Sequence, residues 1–206
     1  MNHNQSAKNH TGFTLLELLV AMGIFAMISL VAAGFLIDTF RYKRTLWEQL
    51  ETQNDGRRVL QQVVDTVRKA EESSIGGYPV VSVGDYELII YANVDTDSLR
   101  ERVRFWLDGA TLKKGIIQAT GNPLNYSGTE DVVELAHNVV NFSESKPLFL
   151  YYDDTYTGTE AALSMPVDVT AVKVVRVQLK LDSDPAQEPA PLAVESVAAI
   201  RNLKEN

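Results

Sequence analysis

Glu17 is the residue whose position most needs a chemical explanation. It stands four residues after Phe13, at the entrance to Leu18–Ile37, a run of twenty residues without a charge. A carboxylate held in hydrocarbon costs a few kcal/mol or more, depending on depth, unless it is paired. An unpaired glutamate has no reason to be there, so a partner cation is expected. A second group of oxygens lies far along the chain, where Asp153, Asp154, Thr155 and Thr157 place hard ligands suited to calcium on one polar loop. That loop lacks the spacing of an EF-hand and has no Glu at the twelfth position. Nucleophilic catalysis finds little support. The histidines are His3, His10 and His137, a triad would have to use His137, and no serine stands in a nucleophile-elbow context. No glycine loop of Walker or Rossmann form is present. An enzymatic role is therefore not expected, and no cofactor is expected beyond the calcium candidates Asp153 and Asp154.

The element that must position Glu17 is the apolar run itself. At about 1.5 Å rise per residue, twenty residues of helix cover roughly 30 Å, the thickness of a bilayer's hydrocarbon core. The six residues Gly12-Phe13-Thr14-Leu15-Leu16-Glu17 closely resemble the cleavage and methylation signal of type IV prepilins and type II secretion pseudopilins. The resemblance implies a membrane aspartyl peptidase that cuts between Gly12 and Phe13. It also implies N-methylation of the new Phe13 amine, and a role for the Glu17 carboxylate in filament assembly. Gly12 has a steric rationale as well, since a peptidase that admits only hydrogen on the acyl side of its cut would select glycine.

Residues 1–12 read as a leader: they are polar and small, with Lys8 the one formal side-chain charge. Many leaders of this family carry Lys or Arg next to the glycine, where this chain has Thr11. A secretory signal cut after Val31-Ala32-Ala33 competes with this reading. Glu17 inside its apolar region, and a helical pattern that continues past the cut, argue against it. A plain single-pass anchor explains the apolar run but not Glu17. Charge counting points the other way on orientation: Arg41, Lys43 and Arg44 follow the span, which by the positive-inside rule puts the C-terminal side in the cytoplasm. The resemblance implies the opposite, with the leader inside and the domain outside. The more specific signal is followed: a single-pass protein of the inner (cytoplasmic) membrane with an extracytoplasmic domain, later part of a pilus or pseudopilus.

The chain has 206 residues, a net charge of −8 and no cysteine. That length allows an anchor and one domain with a modest core. The fold must stand on packing, with neither disulfides nor thiolate metal sites. An acidic surface argues against nonspecific nucleic-acid binding, which needs basic patches.

Beyond the span the helical pattern runs on to about residue 74. Leu36, Phe40, Trp47 and Leu50 keep near one face, and Leu60, Val63, Val64, Val67 and Ala70 form a stripe of helical period. Gly56 is a weak helix former and is expected to mark a bend or break. Gly34 sits where many pilins of the family have a proline that loosens the helix. Ser73–Gly77 ends this pattern and strands follow: Tyr86–Tyr91, Arg102–Leu107, Thr111–Gln118, Val132–Phe142, Leu148–Tyr152, Val175–Asp182 and Leu192–Ile200. Asp108-Gly109 joins the second and third through a turn of about three residues. The segments 120–131, 153–159 and 182–191 read as loops. The expected architecture is α+β. It has a leader over 1–12, an N-terminal helix over 13–74 with a membrane segment at 13–37, and a sheet-rich domain over 75–206. The helix would pack on one mostly antiparallel sheet of about six to eight strands, which also matches the pilin fold that the resemblance implies.

A mature chain this long suggests a minor subunit. The tract Val103–Gly109, with Leu112-Lys113-Lys114 after it, is similar to J-type minor pseudopilins, a likeness that implies a tip complex which primes assembly. A minor pilin of a type IV pilus or of a DNA-uptake pseudopilus is the neighbouring reading. The implied partners are other pilin subunits, the prepilin peptidase and methyltransferase, and the membrane, with no nucleic acid. A membrane-tethered extracytoplasmic binding domain that never assembles is the alternative of a different class.

Overall fold

The computed structural model describes residues 14–182 and 191–203; within the helix, the side chains of 37, 38 and 40–53 are not among those described. The leader, Gly12, Phe13, the proline loop after Asp182 and the side chains of Phe40, Trp47 and Leu50 therefore lie outside the described residues. The chain divides into two compact units, 1–48 and 49–206, and one helix, α1 (Leu15–Arg68), has residues in both.

In the first unit α1 presents an apolar surface without partners. Leu15–Leu36 is long and apolar enough to cross a membrane, and none of it is buried by the chain itself. Leu, Ala, Met and Ile dominate it, so it combines good helix formers with continuous apolarity. The helix runs through Gly34 without interruption.

In the second unit the last turns of α1 bury Val59, Leu60, Val63, Val64 and Val67, and Ala70 just beyond the helix is also buried. The predicted stripe is thus the core face of the helix. The helix ends at Arg68, earlier than the expected residue 74, because Ala70 leaves it to form a bridge with Ala92. Nor does Gly56 break the helix. Its missing Cβ is a packing feature, taken up in the Discussion.

Eight strands follow: β1 (Val80–Val83), β2 (Glu87–Ala92), β3 (Glu101–Asp108), β4 (Thr111–Ile117), β5 (Asp131–Ala136), β6 (Phe149–Tyr152), β7 (Val174–Leu181) and β8 (Leu192–Ala199). They form two antiparallel sheets where one was expected. β1-β2-β3-β4-β5 is a meander, and β6-β7-β8 is a second, three-stranded sheet. Both share one apolar core with the end of α1, including Leu88, Ile90, Phe105, Tyr151, Val177 and Leu179. Two inner faces and one helix flank can bury more apolar surface than a single sheet of the same strand count.

Alternation reads correctly where a strand has one wet face. β3 buries Val103 and Phe105 and leaves Arg102, Arg104 and Trp106 partly exposed, with Arg104 stacked over Trp106 at 4.4 Å. The β3–β4 turn is tighter than expected: Asp108 pairs with Thr111, leaving only Gly109 and Ala110, with Gly109 at φ +60°. A two-residue hairpin needs a left-handed residue, which glycine supplies without strain.

β5 stops at Ala136, six residues short of the expected Phe142. Asn138 turns left-handed at φ 59°, and Val139 leaves the first sheet to bridge Leu181 of the second. Buried Asn141 fixes this crossing segment. Its amide donates to the Gln178 carbonyl at 2.9 Å, and its Oδ1 accepts from the Lys180 N–H at 2.7 Å. These bonds satisfy the part of β7 that β6 is too short to reach.

Candidate functional site

The candidate site is the first turn of α1. Thr14 precedes the helix, and its Oγ1 accepts from the Glu17 N–H at 3.3 Å while its carbonyl accepts from the Leu18 N–H at 3.1 Å. Thr14-Leu15-Leu16-Glu17 therefore has the sequence form of a capping box, with Glu17 three residues into the helix. The Thr-x-x-Glu spacing signals this helix-start role, which the sequence analysis did not assign; only the Thr14 half of the box is formed.

Magnitudes separate the two roles. A carboxylate near a helix N-terminus gains about 0.3–1 kcal/mol from the helix dipole, whereas placing it in hydrocarbon costs a few kcal/mol. Capping alone does not account for an acid at the mouth of a membrane span. The Glu17 carboxylate makes no hydrogen bond or ion pair with any described residue. It sits in a shallow groove along the helix, lined by Thr14, Leu16, Val20, Ala21 and Ile24. The surrounding side chains are open, Leu16 by 74% and Ile24 by 57%. The arrangement is one acid on an otherwise apolar, unpartnered helix surface, with room beside it for a cation that the described residues do not supply. Gly12 and Phe13, the other two residues of the expected site, lie outside the described residues.

The loop with Asp153 and Asp154 is self-satisfied. Asp153 Oδ1 accepts from the Thr155 N–H at 3.0 Å and from its hydroxyl at 2.6 Å, which hold the carboxyl below the usual aspartate range. Thr157, Gly158 and Thr159 give their N–H groups to Glu160, whose carboxyl is lowered to about 2 by the Thr157 hydroxyl above all. Asp154 is exposed. Among the described residues, the one place where three carboxylates converge is Asp95, Asp97 and Glu101, between β2 and the start of β3. The sequence reading did not single it out. His137, the expected member of any triad, is largely exposed; it faces the Thr111 hydroxyl at 3.4 Å and Glu134 at 3.7 Å.

Comparison with known families bears on the N-terminal site. Residues 7–33 match the family described as the prokaryotic N-terminal methylation motif. The matched segment contains Gly12, Phe13 and Glu17 and extends most of the way along the apolar helix. It supports placing the chain with type IV prepilins and pseudopilins, as a protein processed by a prepilin peptidase. Such a motif points to a structural subunit rather than an enzyme. No curated protein matches the chain.

Proposed function

We propose that this chain is a minor pilin or pseudopilin subunit that assembles through its N-terminal helix into a type IV pilus or a type II secretion pseudopilus. The observation that carries the reading is the methylation motif of residues 7–33, which runs directly into an apolar helix with one carboxylate in its first turn. Hydrolysis of the Gly12–Phe13 peptide bond would release the leader and create a cationic amine on Phe13, and N-methylation would keep its charge. Glu17 then needs a cation in an environment where an isolated carboxylate is costly. In a helical filament, the Phe13 amine of a neighbouring subunit can supply it. Two costly groups become one buried pair, and removing either leaves the other uncompensated.

The domain over 75–206 would face the extracytoplasmic side, the orientation that the resemblance to prepilins implies. A tip position follows from the likeness of the β3–β4 hairpin tract to J-type minor pseudopilins. The role is structural, with no reaction assigned to the chain.

Mass spectrometry of the mature N-terminus, on protein from cells with the prepilin peptidase, tests the reading. A chain that begins at N-methylated Phe13 supports it. A chain that begins at Gly34 makes this a secreted domain, and an intact Met1 leaves a tethered domain and overturns the filament reading.

A further inference from the structure

Glu101 occupies an inward position of β3. Val103 and Phe105 follow it on the same face, and all three have no exposed surface. An ionised carboxylate in such a place ordinarily has a cation or several donors around it. Here Glu101 Oε2 accepts from the Val94 N–H at 2.9 Å, and Oε1 is buried without any hydrogen-bond partner. Of the two arginines adjacent in sequence, Arg100 is engaged on Glu71 at 3.2 Å and on the Ser98 carbonyl at 2.8 Å, and Arg102 alternates to the other face of β3. The charged groups that do converge on Glu101 are Asp95 and Asp97. One ligand oxygen from each of the three lies within 4.8 Å of the others. Three acids thus converge at one place, and one oxygen of the innermost of them is fully buried without a hydrogen-bond partner.

We infer that the 93–101 loop is a binding site for a divalent cation of calcium size, with Asp95, Asp97 and Glu101 as its carboxylate ligands. Oxygens within 4.8 Å of one another are close enough to share one ion, and calcium accepts an irregular set of oxygen ligands at about 2.3–2.6 Å. Magnesium, at about 2.0–2.1 Å, demands a tighter octahedron and retains its waters. The loop orients the acids without exhausting them. Asp95 Oδ1 accepts from the Asp97 N–H and its Oδ2 from the Gln118 amide at 3.2 Å, while Asp97 Oδ1 accepts from the Leu99 N–H. Asn93 completes the frame by donating to the Asp97 carbonyl at 2.7 Å. Exposed Asp95 and Asp97 form the mouth of the site, and Glu101 forms its floor. An ion there would anchor the β2–β3 connection to the core. The Arg100 N–H in that connection donates to the Ser74 hydroxyl oxygen and its guanidinium holds Glu71, so the effect would reach the segment that follows α1. The inference concerns the second unit alone and does not rest on the filament reading.

Calcium titration of the full chain in detergent micelles, after removal of divalent ions with chelator, tests it. Calorimetry should show one saturable site in the range of about 0.1–1 mM, with a rise in melting temperature. Asp95→Asn combined with Asp97→Asn should weaken binding at least tenfold, while its chelated form melts no lower than the chelated wild type. Asp153→Asn combined with Asp154→Asn should bind like the wild type, and magnesium should bind more weakly than calcium. The site is overturned if wild type shows no saturable binding at 10 mM calcium chloride, or if the Asp95/Asp97 double variant binds as tightly as wild type. Loss of binding in the Asp153/Asp154 variant instead would move the site to that loop, and equal binding of magnesium would overturn the size assignment.

Discussion

Gly56 of α1 lies against Leu181 of β7 so closely that a Cβ on the glycine would stand 2.8 Å from Leu181 Cδ1, and 3.3 Å from Val194 Cγ2. The glycine that looked like a helix breaker is a contact point between helix and second sheet. Two opposed effects set the cost of filling it. Alanine gains about 1 kcal/mol in helix propensity, and overpacking a core position costs about 1–3 kcal/mol. Gly56→Ala should therefore lower stability by up to ~2 kcal/mol. In a Leu181→Val background the clashing methyl is gone, and the same change should be neutral or stabilising. A double-mutant cycle by denaturant unfolding checks the coupling, and strict additivity would sink the account.

Tyr151 ties the two sheets together. From β6 its buried hydroxyl donates to the Gly84 carbonyl at 2.8 Å and accepts from the Gly84 N–H at 3.2 Å, at the β1–β2 turn. Tyr151→Phe should cost about 1–2 kcal/mol, since it leaves a buried carbonyl short of a donor. Burial, opposed by the bond to Gly84, pushes the phenol well above its ordinary 10.0. A raised folded pKa means that stability is fully present below pH 10 and is lost as the pH climbs above it, where only the unfolded tyrosine ionises. Melting curves between pH 9 and 11.5 should fall more steeply for wild type than for Tyr151→Phe. Parallel curves would contradict this.

Lys114 points inward from β4, 7% exposed, with its ammonium over the Phe105 ring at 6.0 Å. Burial first, and then the like charge of Lys69, hold its pKa below the usual lysine value of 10.5. For a base this sign means that the unfolded chain binds the proton more readily, so stability rises with pH from the folded pKa up to about 10.5. Lys114→Met keeps the packing and removes the charge, and should raise the melting temperature by roughly 2–4 °C at pH 7. The advantage should shrink as the pH approaches 10.5. A lower melting temperature at pH 7 would show that the ammonium is a net stabiliser.

Glu17→Ala should abolish incorporation into filaments and leave the melting of the second unit unchanged, because the carboxylate touches nothing else among the described residues. Co-expression with wild-type subunits, followed by quantification in sheared filaments, reads the effect. Incorporation equal to wild type would refute the pairing role.

Local periodicity carried much of the fold. The stripe from Leu60 to Ala70 and the alternation of β3 and β7 were legible because each depends on residues three, four or two apart. Turn length at Gly109 and the end of β5 at Ala136 differ from the sequence expectation, since both depend on which strand lies alongside. Val139 continues an apolar run by sequence, yet it belongs to the other sheet through its bridge to Leu181.

The sequence by itself determined the N-terminal site. Gly12, Phe13 and Glu17 stand at fixed spacing beside an apolar run within the matched methylation motif, so order along the chain is the whole signal. Only the tertiary structure decided the division into two sheets, the fit of Gly56 against Leu181, and the convergence of Asp95, Asp97 and buried Glu101. Residue type does not say which acid is dry. Burial does, and burial is fixed by segments far apart in the chain that meet only when the core closes.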